Sequence, residues 1–101
     1  MVVVTGRIQL KIGEIGALRT AAKTMMVDTL AESGCLEYQF SFDMNEPAVL
    51  RLFEHWESDE ALEFHFSSTH FATFAEVLVQ SADGPADFVR YQVDSARPLF
   101  G

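Results

Sequence analysis

The sequence predicts an α+β fold, with one antiparallel sheet and its helices on a single face. Three observations predict it. Apolar and polar residues alternate over residues 2–12 and 35–43, the period of a half-buried strand. Between them, over residues 15–30, the apolar period changes to three and four, the mark of one side of a helix. The remaining chain returns to strand, then helix, then strand, within 101 residues that suffice for one core and one domain.

In the first strand Val2, Val4, Ile8, Leu10 and Ile12 share a face, with Gly6 between them, and Val3, Thr5, Arg7, Gln9 and Lys11 take the other. The helix over 15–30 carries an apolar stripe of Ile15, Leu18, Ala22, Met25, Met26 and Leu30. Ser33-Gly34 ends it, with Gly34 suited to a left-handed C-cap. In the second strand, 35–43, Leu36, Tyr38, Phe40 and Phe42 lie on one face. Residues 44–47 form a turn ending in Pro47, and Ala48 to Glu57 form the hairpin partner. There Leu50, Leu52 and Trp56 share one face, but Val49 and Phe53 make the other partly apolar, so this strand calls for cover on both sides. Ser58 caps a helix that runs to about Phe66, with Asp59 and Glu60 in its first turn. Residues 67–69 break it and recap a second helix over about 70–81, striped by Phe71, Phe74, Ala75 and Leu78. A loop at 82–85 leads to a last strand at 86–94, and residues 95–101 form an extended tail. The resulting order is strand, helix, strand, strand, helix pair, strand. That is the split βαβ, ferredoxin-like plan.

Composition narrows the function. The formal net charge is -8, from 15 acidic and 7 basic residues, and the basic ones are scattered. Nucleic acid and anionic membrane are therefore unsuited partners. No Lys or Arg lies between Arg51 and Arg90, and the acidic residues of that stretch read as a solvated surface. The single cysteine, Cys35, excludes an internal disulfide and a thiolate metal cluster. The first residues lack a basic n-region and a long apolar core, and no apolar run reaches membrane-spanning length, so a soluble cytoplasmic protein is expected.

No phosphate-binding glycine loop and no nucleophile elbow is present. The groups able to carry chemistry gather between Phe53 and Phe74, which holds all three histidines and the only tryptophan. His65 ends one short helix and His70 opens the next, so the break decides whether they converge. As metal ligands they would need a third partner such as Glu63 or Glu54, and the spacing matches no compact metal motif, so no metal is expected. The alternative is a neutral imidazole facing an apolar pocket, taking a proton from a bound hydroxyl group. Trp56 reads as core or as a flat wall for an aromatic ligand, with Tyr38, Phe40, Phe53, Phe66, Phe71 and Phe74 able to line the same cavity.

The run Phe53-Glu54-His55-Trp56-Glu57-Ser58, followed by Ala61-Leu62, His65 and Thr69-His70-Phe71, resembles the antibiotic biosynthesis monooxygenase domain. That family's pattern is a strand ending in E-x-W-E-S, a helix, then H-x-x-[ST]-x-H-[FY]. Upstream, Ser33-Gly34-Cys35-Leu36-Glu37-Tyr38 is similar to its E-x-G-C-x-x-Y. The resemblance implies a dimeric α+β barrel, sheets packed face to face, with a pocket in each subunit. It implies cofactor-independent oxidation of quinols or polycyclic phenols, haem degradation, or isomerisation of a phosphorylated signalling-sugar derivative. The haem-degrading branch has a Trp where this chain has His65 and a haem-ligating His where it has Ala75, so haem chemistry is disfavoured. The branch acting on aromatic polyketides has an Asn where this chain has Leu52. What carries over is Trp56, His65 and His70, as in the quinol-oxidising branch.

The leading expectation is a dimeric monooxygenase of the quinol or phenol type, without metal, flavin or other cofactor. His65, or His70 if the break turns it inward, would be the base. Two alternatives stand beside it: a non-catalytic or stress-related dimer that binds a hydrophobic molecule, and an isomerase of a small signalling metabolite.

Overall fold

A computed structural model describes residues 1–101. Its elements are β1 (Val2–Gln9), α1 (Ile15–Leu30), β2 (Cys35–Phe42), β3 (Val49–Trp56), α2 (Asp59–Phe66), α3 (Thr69–Ser81) and β4 (Asp87–Gln92). The sheet runs β2-β3-β1-β4, with every neighbouring pair antiparallel. This is the ferredoxin-like α+β plan. None of the helices is long and apolar enough to cross a membrane.

The register fixes which side chains share a face. Val2, Val4 and Ile8 of β1 lie beside Trp56, Glu54 and Leu50 of β3, with Tyr38 and Phe40 of β2 next in line. All are buried, and Leu18, Ala22, Met25, Leu62 and Phe74 from the helices pack with the apolar ones in a single core. On the other face Arg51, Phe53 and His55 alternate with them and stay open or half-buried. Gly6 is required where β1 meets β4, because a Cβ there would lie 2.1 Å from the Asp87 carbonyl oxygen. Gly34 takes the expected left-handed conformation after α1, with φ +87. Ser58 Oγ accepts the Ala61 N–H at the start of α2, and Ser68 Oγ accepts the Phe71 N–H at the start of α3.

Four expectations change. The first strand stops at Gln9, and Ile12, assigned to its buried face, is 82% exposed. The strand gives way because Leu10 turns to bond Ala48 and bridges to Ala82, and a short 3₁₀ turn at Ile12–Glu14 leads directly into α1. Leu36 leaves the face of Tyr38 and Phe40 because the register shifts between Cys35 and Glu37, and it becomes exposed. The buried line of α1 is Leu18, Ala22, Met25 and Thr29, which steps past Leu30 and leaves it half out. The acidic stretch is not wholly solvated, since Glu54 lies inside the protein.

Candidate functional site

Between the sheet and α2–α3 lies a cavity of about 320 Å³, at the small end of the range for ligand pockets. Tyr38, Phe40, Phe66, Phe71 and Phe74 line it, as does His65. Val4, Leu52, Leu78 and Phe88 complete an apolar wall, interrupted by Glu54 and Arg90. Phe53 is on the other face of the sheet, 36% exposed, because odd-numbered residues of β3 point away from the helices. Trp56 is fully buried and does not border the cavity. It supports the site from below: its ring lies 4.9 Å from that of His65, and its Nε1–H donates to Glu54 Oε1 at 2.8 Å.

His65 and His70 converge on one group that sequence reasoning missed. Glu32, just past the end of α1, places Oε2 2.6 Å from His65 Nδ1 and 2.7 Å from His70 Nε2. An ionised carboxylate only accepts, so both of those nitrogens carry hydrogens. A neutral His65 then has its lone pair on Nε2, which is buried and finds no partner in the protein. Burial, the largest influence, pushes the His65 pKa below its ordinary value, against the pull of Glu32. His70 does not line the cavity. It borders a more open groove of about 520 Å³ between α1 and α3.

Two other groups in the cavity are shifted by the same burial. Desolvation drives the Tyr38 hydroxyl well above its ordinary pKa, with the charge of Glu54 adding to it. Glu54 is raised to about 7, mainly by desolvation, with its bond from Trp56 pulling the other way. Arg90, the one Lys or Arg bordering the cavity, is already paired. Its guanidinium is held by Asp59 at 3.1 Å and Glu63 at 3.2 Å. Glu63 is therefore occupied away from the histidines. The three ligand atoms that come within 4.8 Å of one another belong to Glu32, His65 and His70. These are the residues that could hold a divalent cation. As they stand, hydrogen bonds already join them.

The family model for antibiotic biosynthesis monooxygenase matches residues 1–77. The chain belongs to the antibiotic biosynthesis monooxygenase family. An uncharacterised Synechocystis protein, sll1783, is 28% identical over 98 residues, covering 97% of this chain and 67% of that one. Among solved structures, Rv0793 from Mycobacterium tuberculosis is similar at 27% identity and TM-score 0.86, covering 95% and 98% of the two chains. A protein from Deinococcus radiodurans shares the fold at TM-score 0.89 and 22% identity over the whole of both chains. In this family member, the sequence carries a signal for both carboxylates. Glu54 is in phase with Leu50, Leu52 and Trp56. The glutamate that opens the family's E-x-G-C-x-x-Y pattern falls on Glu32.

Proposed function

We propose that this protein is a monooxygenase that oxidises a quinol or polycyclic phenol with O2, in the cavity between sheet and helices. The observation that carries the reading is the unpartnered Nε2 of His65, on a ring whose other nitrogen is tied to Glu32. A buried polar atom with no partner is costly, and a ligand hydroxyl would supply one once Phe66 or Phe71, both packed on this fully buried ring, moves aside. His65 takes the phenolic proton, and the phenolate then gives electrons to O2. One oxygen atom enters the ring and the other leaves as water, the four electrons coming from the substrate. This chemistry calls on no metal, flavin or other cofactor. Glu32 is a positioning residue that sets the tautomer and steadies the imidazolium. His70 shares that carboxylate from the groove side and acts through it. Tyr38, Phe40, Phe66, Phe71 and Phe74 hold the ring, and Trp56 backs the base.

Arg90, the one Lys or Arg at the cavity, is already bonded to two carboxylates, which favours a neutral ligand over a phosphorylated one and weighs against the isomerase reading. The enzyme is proposed to act as a homodimer in the cytoplasm. Phe53, Val89 and Tyr91, exposed on the open sheet face, support sheet-to-sheet packing.

The test is oxygen uptake by the protein with a panel of hydroquinones and polycyclic phenols, autoxidation subtracted. His65→Ala should lower kcat/KM by about 10²- to 10⁴-fold. His70→Ala should lose less. Flat traces for the wild type across the panel would overturn the oxidation.

A further inference from the structure

Glu54 is the only carboxylate on the helix-covered face of the sheet, and it is 6% exposed. Burying a carboxyl group is unfavourable unless something uses it. The protein uses half of it, since Trp56 donates to Oε1 and no protein group donates to Oε2. Unlike the sealed Nε2 of His65, Oε2 is not fully closed off, and Glu54 lines the cavity. Arg90, the one Lys or Arg lining the same cavity, is bonded to Asp59 and Glu63 and makes no hydrogen bond to Glu54. Holding an indole N–H needs only an acceptor, which a glutamine would provide without an ionisable group. The free oxygen therefore asks for a role.

We propose that Glu54 is a second ligand-binding group of the cavity, presenting a carboxyl O–H to an oxygen acceptor on a ligand whose hydroxyl is bound by His65. The inference rests on the cavity reading above and narrows it. The site takes an aromatic ligand with two oxygens, a donor and an acceptor, in preference to a simple monophenol. The apolar lining and the raised pKa of Glu54 favour its protonated, donating form at and below neutral pH. The titratable and charged groups that face Glu54 are Tyr38 and Cys35 from β2, Glu32 beyond α1, His65 from α2 and Arg90 from β4. Arg90 alone opposes the neutral form by its charge, and the carboxylate of Glu32 supports it.

Binding can be read without turnover. Trp56 is the only tryptophan and bonds Glu54, so its emission reports the site. Under anaerobic conditions, 1-naphthol and 4-methoxy-1-naphthol would be titrated at pH 5.5 and pH 8.5. The second probe adds an acceptor oxygen and no donor. The wild type should bind it about fivefold more tightly at the lower pH, the size of one net hydrogen bond, and about equally at the higher pH. Glu54→Gln keeps a donor and has no proton to lose, so it should hold its preference at both pH values. Equal binding of the two probes at both pH values would overturn the proposal. So would a wild-type preference that ignores pH, a pH-dependent preference retained by Glu54→Gln, or failure of both probes to bind. The wild-type comparison needs no variant to fold. Discrimination without oxygen uptake would sink the oxidation and leave Glu54 its role, and uptake without discrimination would do the reverse.

Discussion

Along β3 the side chains of Leu50, Leu52, Glu54 and Trp56 go under the helices, while those of Arg51, Phe53 and His55 face outward. The covered face contains a buried carboxyl and borders a buried imidazole. The open face shows Phe53, Val89 and Tyr91 to solvent. A sheet serving only stability would place these groups the other way round. The contrast separates the face proposed to carry chemistry from the face proposed to carry assembly. On the covered face the buried polar groups border the cavity proposed to bind a ligand. On the open face the exposed aromatic groups are those the proposed dimer would cover.

The largest expected effect lies beneath the cavity. Trp56→Ala removes the biggest fully buried side chain and strips Glu54 of its donor, and should cost about 3–5 kcal/mol in urea unfolding. A loss below about 1 kcal/mol would mean that the covered face is not the core of this domain. The next effect is a pH slope. Glu54 holds its proton more tightly folded, at about 7, than at its ordinary 4.5. Its contribution to stability is therefore full below about pH 4.5 and is lost as pH rises through about 7. His65, held below its ordinary value, acts oppositely and loses its contribution as pH falls. Relative to wild type, Glu54→Gln should gain about 2–3 kcal/mol between pH 5 and pH 8. A flat difference would show that Glu54 is ionised and hydrated in the fold.

Glu32→Ala leaves two imidazole N–H groups without an acceptor, one of them fully buried, and should cost about 1–3 kcal/mol. Nitrogen-15 shifts should show His65 losing its fixed tautomer. Unchanged shifts would remove Glu32 from its positioning role. The smallest effect belongs to the open face. Phe53→Ser should change the unfolding free energy of a single chain by less than about 1 kcal/mol, yet light scattering should show the mass falling from two chains to one. A wild-type mass of one chain would remove the proposed partner altogether.

Much of this was legible in residue patterns. Strand alternation and helical periodicity are local properties, so the element order and the inward phase of Tyr38, Phe40 and Trp56 could be read directly. Exceptions came where a neighbour overrode the pattern, as when the bulge at Cys35–Glu37 turned Leu36 out. For the site, the clustering of His65 and His70 with aromatic residues was visible, but their shared partner was not. Glu32 and His65 are 33 positions apart and meet because Gly34 reverses the chain beside α2. Residue type makes Phe53 able to line the cavity, but strand phase puts it outside.

The sequence by itself determined the α+β class, the family and the set of side chains available, because periodicity and motif spacing are written along the chain. Which carboxylate joins the two histidines, and the burial of Glu54, came from the packing of the folded chain. The same packing sets Trp56 against His65, where it does not line the cavity. Those outcomes depend on how distant segments approach one another and on how much water each group loses, and neither quantity is carried by neighbouring residues.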